Sequence, residues 1–192
     1  HGDETLDFEV TGLMELVIGD QNADVSHRAF YGLFVSTSED DEVLFAKRLS
    51  WSKNEESFYA FQTSFVNGEE FGDFQFETDR MKFIGRGRSN LNPISVMEGK
   101  PLFGTVGDVL DPVFVQRRNV RVEPNKSVAV CFITGLDTSK EHALSVAGKY
   151  RSEEMISSVF RLAYARSQVE LSYLNVTADE VKFFDELIKY LV

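Results

Sequence analysis

The densest group of charged side chains lies in residues 76–88, where two carboxylates precede three arginines and a lysine. Guanidinium groups form planar, forked hydrogen bonds that suit sugar hydroxyls and anions. A neighbouring carboxylate can fix a guanidinium group through a bidentate pair. We therefore predict a polar binding site formed by Glu77, Asp79, Arg80, Arg86 and Arg88.

Two structural interpretations of this segment stay open beside the functional one. Acidic residues are concentrated before residue 80 and basic residues between residues 81 and 135, so the two regions can pair internally. Residues 76–88 can equally form an ion-paired β-turn at the edge of a sheet, with Gly85 and Gly87 permitting tight turns.

Side chains and motifs that could bind a metal ion, a phosphate group or a dinucleotide are scarce. The histidines are His1, His27 and His142, and none has a partner at metal-ligand spacing. The glycines at 85 and 87 match neither a phosphate loop nor a dinucleotide fingerprint. We assign no metal site and no cofactor, and any activity within the chain would have to rest on carboxylates alone.

Composition restricts the class of protein. The chain has 192 residues and a net charge of −11, so it suits one large domain or a domain with an appendage. Its acidity disfavours nucleic-acid binding, which requires neutralisation of phosphates. No apolar run is long enough for membrane insertion, and no signal peptide is visible. The single cysteine excludes a disulfide framework and fits a reducing compartment.

The first two-thirds of the chain predict β structure, with short runs rich in β-branched and aromatic residues between turn signals. The 17 phenylalanines fit this interpretation. The predicted strands cover residues 13–18, 33–37, 43–45, 58–65, 113–122 and 128–134. Several short strands with frequent turns indicate a sandwich or barrel.

Helical periodicity begins after Gly135. We predict a first helix from Thr138 as N-cap to about Lys149, a second capped by Ser152, and a third opened by a capping box at Thr177. The predicted domains are therefore 1–136, a β-sandwich, and 137–192, linker helices. Because the chain starts His1-Gly2 and stops within the third apolar stripe, we expect a fragment of a longer protein.

Several motifs occur in one order along the chain and together resemble the inverting glycoside phosphorylases of glycoside hydrolase family 94. The resemblance is closest to the phosphorylase-like module of bacterial cyclic β-1,2-glucan synthases. The first motif is His27 with Ala29-Phe30 and residues 33–35, although Arg28 stands where proline is expected. The later motifs are residues 77–80 with Phe83 and 85–88, residues 104–107 with 110–112, Arg117-Arg118, and residues 167–171.

The resemblance implies a fold and also implies which domain carries the catalytic groups. The fold is mainly β with C-terminal helices: part of a β-supersandwich of the galactose-mutarotase type, followed by a helical linker. In this family the general acid and the phosphate ligands lie in a following (α/α)6 barrel, and inorganic phosphate is the co-substrate. Glu77 and Asp79 would then not be a catalytic pair. Arg80 would approach the acceptor sugar, with Asp79 or Glu77 orienting its guanidinium group.

The resemblance therefore predicts a non-catalytic sandwich that supports the barrel, oligomerisation and acceptor-sugar binding. The expected partners are a glucan oligosaccharide, the barrel of the same parent chain, and a second copy in a homodimer; the parent can be anchored in the inner membrane. Two other functions stay open: an independent carbohydrate-binding module, and an acidic scaffold that binds proteins through an exposed apolar patch.

Overall fold

The computed structural model describes residues 2–19, 25, 33–49 and 57–190. Within these residues the fold is mainly β with C-terminal helices, as the sequence predicted. The strands are β1 Leu6–Glu15, β2 Val35–Asp40, β3 Val43–Arg48, β4 Tyr59–Asn67, β5 Glu69–Asp79, β6 Gly107–Asp108, β7 Pro112–Val122 and β8 Ala129–Asp137. The helices are α1 Arg80–Ile84, α2 Ile94–Met97, α3 Lys140–Tyr150, α4 Glu153–Leu174 and α5 Ala178–Ile188.

The described strands form two antiparallel sheets. One has the order β1-β7-β5, and the other has the order β6-β2-β3-β4-β8. Strand β7 lies at the centre of the first sheet, where it pairs with β1 from Leu6↔Val122 to Glu15↔Val113. Its central position accounts for its near-complete burial.

The sheets pack face to face around an apolar core. Phe114 of β7 packs between them with residues of the second sheet, and Met14 of β1 covers this cluster from its edge. Strand alternation places Gln116 and Arg118 on the same inner face as Phe114. The residues buried with Phe114 are Val35, Leu44, Ala46 and Ala60.

Helix α3 covers the opposite face of the five-stranded sheet. Its Ala143 and Ala147 are fully buried against Val43, Phe45 and Phe61. The small alanine side chains let the helix approach the phenylalanine rings closely. The sequence predicted this helix but placed Thr138 at its N-cap. That prediction is wrong: the helix starts at Lys140, and Ser139 Oγ accepts the N–H of His142 at 3.2 Å.

The chain divides into two compact units, residues 1–151 and 152–192. The change from strand to helix falls at 137–140, where the sequence located it, but α3 packs on the sheet and the first unit continues to Arg151. The division into domains at 136/137 stays a prediction.

The second unit contains α4 and α5. Ser152 caps α4, as predicted, by accepting the N–H of Met155, and Asn175 ends the helix in the left-handed conformation. Thr177 and Glu180 form the predicted capping box of α5. None of the helices in the described ranges is both long enough and apolar enough to cross a bilayer.

Candidate functional site

Strand β5 leads directly into helix α1, and Asp79 lies at this junction. Its Oδ1 accepts the backbone N–H groups of Met81 at 2.9 Å and Lys82 at 3.4 Å. These donors have no partner within the helix, so a carboxylate at the N-cap satisfies them. Gly85 ends the helix at φ 87°, a conformation that glycine adopts without strain. Asp79 therefore fixes the start of the turn that follows the strand.

Glu77 is fully buried, and its side chain binds the backbone of its own strand. Oε1 accepts the N–H groups of Thr78 and Asp79, each at 2.9 Å. Oε2 accepts the Thr105 hydroxyl at 3.1 Å, and the Thr105 oxygen accepts Lys82 Nζ at 2.9 Å. A charged carboxylate is stabilised by several donors of this kind. Glu77 thus ties the end of β5 to the segment around Thr105.

Thr78 joins this region to the second sheet. Its hydroxyl donates to the carbonyl oxygen of Thr105 at 2.7 Å, and it lies 2.7 Å from the hydroxyl of Thr37 on β2. Both threonines are buried. Buried hydroxyls require partners, so this pair specifies how the two sheets meet below the candidate site.

Arg80 is oriented by residues that sequence reasoning missed. Its Nη2 lies 3.2 Å from Glu15 Oε1 and 3.1 Å from Asn90 Oδ1, and its Nη1 lies 3.5 Å from Asp111 Oδ2. Its backbone N–H also donates to the carbonyl oxygen of Asp111 at 3.1 Å. The side chain is 31% exposed. The guanidinium group is therefore fixed but still accessible.

The prediction that Asp79 or Glu77 orients this guanidinium group is wrong. Their carboxylates accept backbone amides, as described above, and the guanidinium group of Arg80 lies against Glu15, Asn90 and Asp111 instead. Two signals pointed to the true partners. Glu15 interrupts an otherwise apolar predicted strand, and Asp111 ends a loop rich in glycine and aspartate.

The other two predicted binding arginines differ in their contacts. Arg88 pairs with Glu98, which also lies 2.9 Å from Lys100. The hydrogen bond from Lys100, assisted by both positive charges, lowers the pKa of Glu98. Arg86 is exposed and makes no hydrogen bond or ion pair with any residue that the structure describes. Arg86 is the more available cation of the two.

Arg117 supports residues 80–111, which we call the 80–111 segment, from the outer face of β7. Its Nη1 and Nη2 donate to the carbonyl oxygens of Lys100 at 2.8 Å and Ser95 at 2.7 Å, and Nε lies 3.1 Å from Glu9 Oε1. The residue is 2% exposed, and its burial lowers the pKa of the guanidinium group. It remains a cation at neutral pH, because the ordinary pKa of arginine lies so far above 7.

The surface of the 80–111 segment is apolar at many positions. Single exposed apolar side chains are common on protein surfaces, but a concentration within one short segment indicates an interaction site. The exposed apolar residues are Met81, Leu91, Val96, Met97, Phe103, Val106 and Leu110.

A second charged cluster lies elsewhere on the sandwich. Arg118 contacts Glu42 at 2.6 Å and Glu70 at 3.0 Å, while Arg151 pairs with Asp41. Asp41 and Glu42 form the turn between β2 and β3 with φ of 51° and 59°, an unusual conformation for residues other than glycine. Next to them is a cleft of about 410 Å³. Arg118 and Arg151 each bond one of the two turn residues. We therefore assign the cluster a structural role.

Potential metal ligands do not cluster in the part of the chain that the structure describes. No set of three His, Cys, Asp or Glu side chains there could hold a metal ion. His142 Nδ1 lies 2.6 Å from Asp137 Oδ2 beside the start of α3. The motif residues His27, Arg28 and Ala29-Phe30 lie outside the described residues.

Comparison with known proteins points to one family. The family model described as "Glycosyl hydrolase 94, supersandwich domain" matches residues 1–153. The chain is also 32% identical over 193 residues to the cyclic β-(1,2)-glucan synthase NdvB of Rhizobium meliloti (strain 1021). That alignment covers 100% of this chain but 7% of the relative. The chain thus corresponds to a small part of a much longer protein.

Proposed function

The chain belongs to the glycosyl hydrolase 94 family, whose supersandwich domain it contains, and we propose that it is a non-catalytic module of a glucan synthase or glycoside phosphorylase. In this proposal the sandwich supports a catalytic (α/α)6 barrel and contributes to acceptor-sugar binding and to oligomerisation. The reacting groups, including a general acid and the ligands of the phosphate co-substrate, lie on the barrel. The module acts in the cytoplasm, within a parent that can be anchored in the inner membrane.

The 80–111 segment carries this proposal, because buried side chains fix its backbone while many of its exposed side chains are apolar. Arg117 holds two of its carbonyl oxygens, and Glu77 ties Thr105 of the segment to the end of β5. A surface ordered in advance loses little conformational entropy when it binds a partner. Its exposed apolar side chains supply the area that a domain interface needs.

Arg80 and Arg86 are the proposed sugar contacts. Arg80 is held by Glu15, Asn90 and Asp111, so the N–H groups that its Nη atoms still offer point in defined directions, while its Nε is buried. A binding site that fixes its polar groups in advance selects a sugar by the positions of its hydroxyls. Glu77 and Asp79 act as positioning residues that set the backbone beneath Arg80, and Arg88 stabilises the segment through Glu98.

The second unit fits the same proposal. Helices α4 and α5 carry exposed aromatic and aliphatic side chains, among them Phe160 at 69%, Leu162 at 70% and Phe184 at 50%. We propose that these helices lead to the barrel and are covered by it. Leaving this many apolar side chains exposed to water would be unfavourable in free energy, and a covering domain removes that cost.

The proposal is tested with the 192-residue chain and the full-length protein side by side. Each is titrated by calorimetry with linear β-1,2-linked gluco-oligosaccharides and assayed for phosphorolysis of the same sugars. We expect no heat of binding at millimolar sugar and no sugar phosphate from the chain alone. Micromolar binding by the chain alone supports an independent carbohydrate-binding module instead. Phosphorolysis by the chain alone contradicts the non-catalytic assignment.

A further inference from the structure

The two terminal nitrogens of Arg80 differ in how fully the protein uses them. Nη2 lies between Glu15 Oε1 at 3.2 Å and Asn90 Oδ1 at 3.1 Å. Among the residues that the structure describes, Nη1 makes only an ion pair with Asp111 Oδ2 at 3.5 Å, which is longer than an ordinary N–H···O hydrogen bond. The N–H groups of Nη1 are therefore available to a ligand.

The carboxylate of Asp111 is available in the same way. It is 55% exposed, and its ion pair with Arg80 is the one polar side-chain contact that it makes within the described ranges. A carboxylate offers about four acceptor sites, so most of its hydrogen-bonding capacity is unused. The backbone holds it in place, because its carbonyl oxygen accepts the N–H of Arg80 at 3.1 Å and Pro112 begins β7 directly after it. A fixed donor and a fixed acceptor thus lie side by side.

The charges around this pair disfavour an anion as the ligand. Glu15 and Asp111 place two carboxylates about one guanidinium group, so the local charge is negative. Both carboxylates would repel an anion that approaches Nη1, and Arg80 would repel a cation. A hydroxyl group is neutral and both accepts and donates hydrogen bonds. Hydroxyl groups are therefore the ligand chemistry that fits the pair.

Apolar side chains flank the same pair. Leu91 follows Asn90 in the chain, and Leu110 precedes Asp111. These leucines are the two most exposed large apolar side chains of the 80–111 segment. Small-molecule sites combine apolar surface with a few fixed polar groups. A pyranose ring matches this combination, because it carries C–H groups on its faces and hydroxyls around its rim.

We propose that Arg80 and Asp111 together bind two adjacent hydroxyls of the acceptor sugar, and that Asp111 is a specificity-determining residue. One hydroxyl accepts an N–H of Arg80 Nη1, and its neighbour on the ring donates to the Asp111 carboxylate. A site built to bond a hydroxyl discriminates strongly against an analogue that lacks it, because a polar group is then left unpaired. The inference rests on the proposed function and adds the residue that requires a hydroxyl donor.

Fluorinated sugars test the proposal in the full-length protein, because fluorine in place of a hydroxyl cannot donate a hydrogen bond. A β-1,2-linked glucose disaccharide and the monodeoxyfluoro derivatives of its acceptor-side unit are titrated by calorimetry. At one ring position the wild type should bind the hydroxyl at least about tenfold more tightly than fluorine, the loss expected for one hydrogen bond to a charged group. Asp111→Asn should lose this preference, because its amide can turn an N–H toward the fluorine.

Asp108→Asn is the matched control. Asp108 is an exposed aspartate of the same segment, so the substitution makes the same change of charge at a position away from Arg80. It should keep the preference for hydroxyl over fluorine. Asparagine has nearly the shape of aspartate, so both variants should keep the melting temperature of the wild type, and a change in sugar preference then reports binding rather than folding.

The outcomes separate this inference from the proposed function. If the wild type shows no preference at any position, or if Asp111→Asn keeps the wild-type preference, the proposal is overturned and Asp111 only orients Arg80. Arg80→Ala is titrated beside them with the unmodified disaccharide. Weaker binding by Arg80→Ala together with an unchanged preference in Asp111→Asn overturns the inference alone. Binding by Arg80→Ala as tight as that of the wild type overturns the acceptor-binding role itself, and the inference with it.

Discussion

Arg118 of the three-stranded sheet donates to Glu42 of the opposite sheet, with Nη2 2.6 Å from Glu42 Oε2. The same guanidinium group donates to Ser64 at 2.8 Å and Glu70 at 3.0 Å, and its carbon lies 4.4 Å from the centre of the Phe74 ring. One side chain that crosses the interior therefore links a turn, an internal strand and an edge strand.

Loss of this arginine is expected to be costly. Arg118→Ala removes a buried guanidinium group that bonds Glu42, Glu70 and Ser64, and should lower the free energy of unfolding by about 2–3 kcal/mol. Arg121→Ala, on the same strand but 39% exposed, is the control and should cost at most about 1 kcal/mol. Urea denaturation of both variants measures the difference, and equal losses would contradict the bridging role of Arg118.

Two glycines are expected to respond to alanine in opposite ways. A Cβ on Gly135 would lie 2.3 Å from the ring of Phe61, so Gly135→Ala should destabilise the sandwich by about 1–3 kcal/mol. Gly148 lies in helix α3 with nothing within 4 Å of the added carbon, so Gly148→Ala should stabilise by up to about 1 kcal/mol. Thermal melting compares the two. A stable Gly135→Ala protein would show that the ring moves aside at little cost.

The fold class, most strands and two of the helix caps could be predicted from the sequence, because alternation, turn residues and capping residues are local signals. Strand β5 was missed as a continuous element, since Gly72 and Asp73 interrupt it and its ladder is irregular there. The turn at Asp41-Glu42 is shorter than the five residues left between the predicted strands 33–37 and 43–45, because β2 continues to Asp40. Arg118 and Arg151 hold that turn from distant parts of the chain, and such contacts leave no local pattern.

The sequence predicted which charged segment contains the candidate site, but it did not predict which residues pair with Arg80. The charged segment drew attention to Arg80, yet its partners lie 65 positions earlier, at Glu15, and at Asn90 and Asp111. Nearest neighbours in sequence were the natural choice for a salt bridge. The two neighbouring carboxylates bind backbone amides instead: Asp79 accepts the N–H of Met81 at the start of α1, and Glu77 accepts the N–H of Asp79.

The distinct roles of the two carboxylates give a paired prediction. Glu77→Gln weakens charge-assisted bonds to the amides of Thr78 and Asp79 and to Thr105, and should cost about 1–3 kcal/mol. Asp79→Asn retains a good N-cap residue and should change stability by at most a few tenths of a kcal/mol. Chemical denaturation tests both. A larger loss from Asp79→Asn than from Glu77→Gln would contradict these assignments.

Stability below neutral pH should depend on Asp137. The N–H of Ser139, followed by the bond to His142, lowers the pKa of this carboxyl from its ordinary value of 3.8. A lowered folded-state pKa means that the unfolded chain binds the proton first, so the contribution is present above pH 3.8 and disappears as the pH falls through the folded value.

Asp137→Asn should therefore flatten the fall in melting temperature of the chain below pH 4. Melting curves of both proteins between pH 2 and 7 provide the measurement. Parallel curves across that range would mean that the bonds to Ser139 and His142 do not favour the charged form.

We propose that the sandwich presents Arg80 to the acceptor sugar of a barrel that performs the chemistry, and steady-state kinetics of the full-length protein decide whether it does. Arg80→Ala should raise the KM for the acceptor about 10–100-fold, the loss expected for one charged hydrogen bond, while its melting temperature stays close to that of the control Arg121→Ala. An unchanged KM together with a lower melting temperature would contradict the claim and leave Arg80 a purely structural residue.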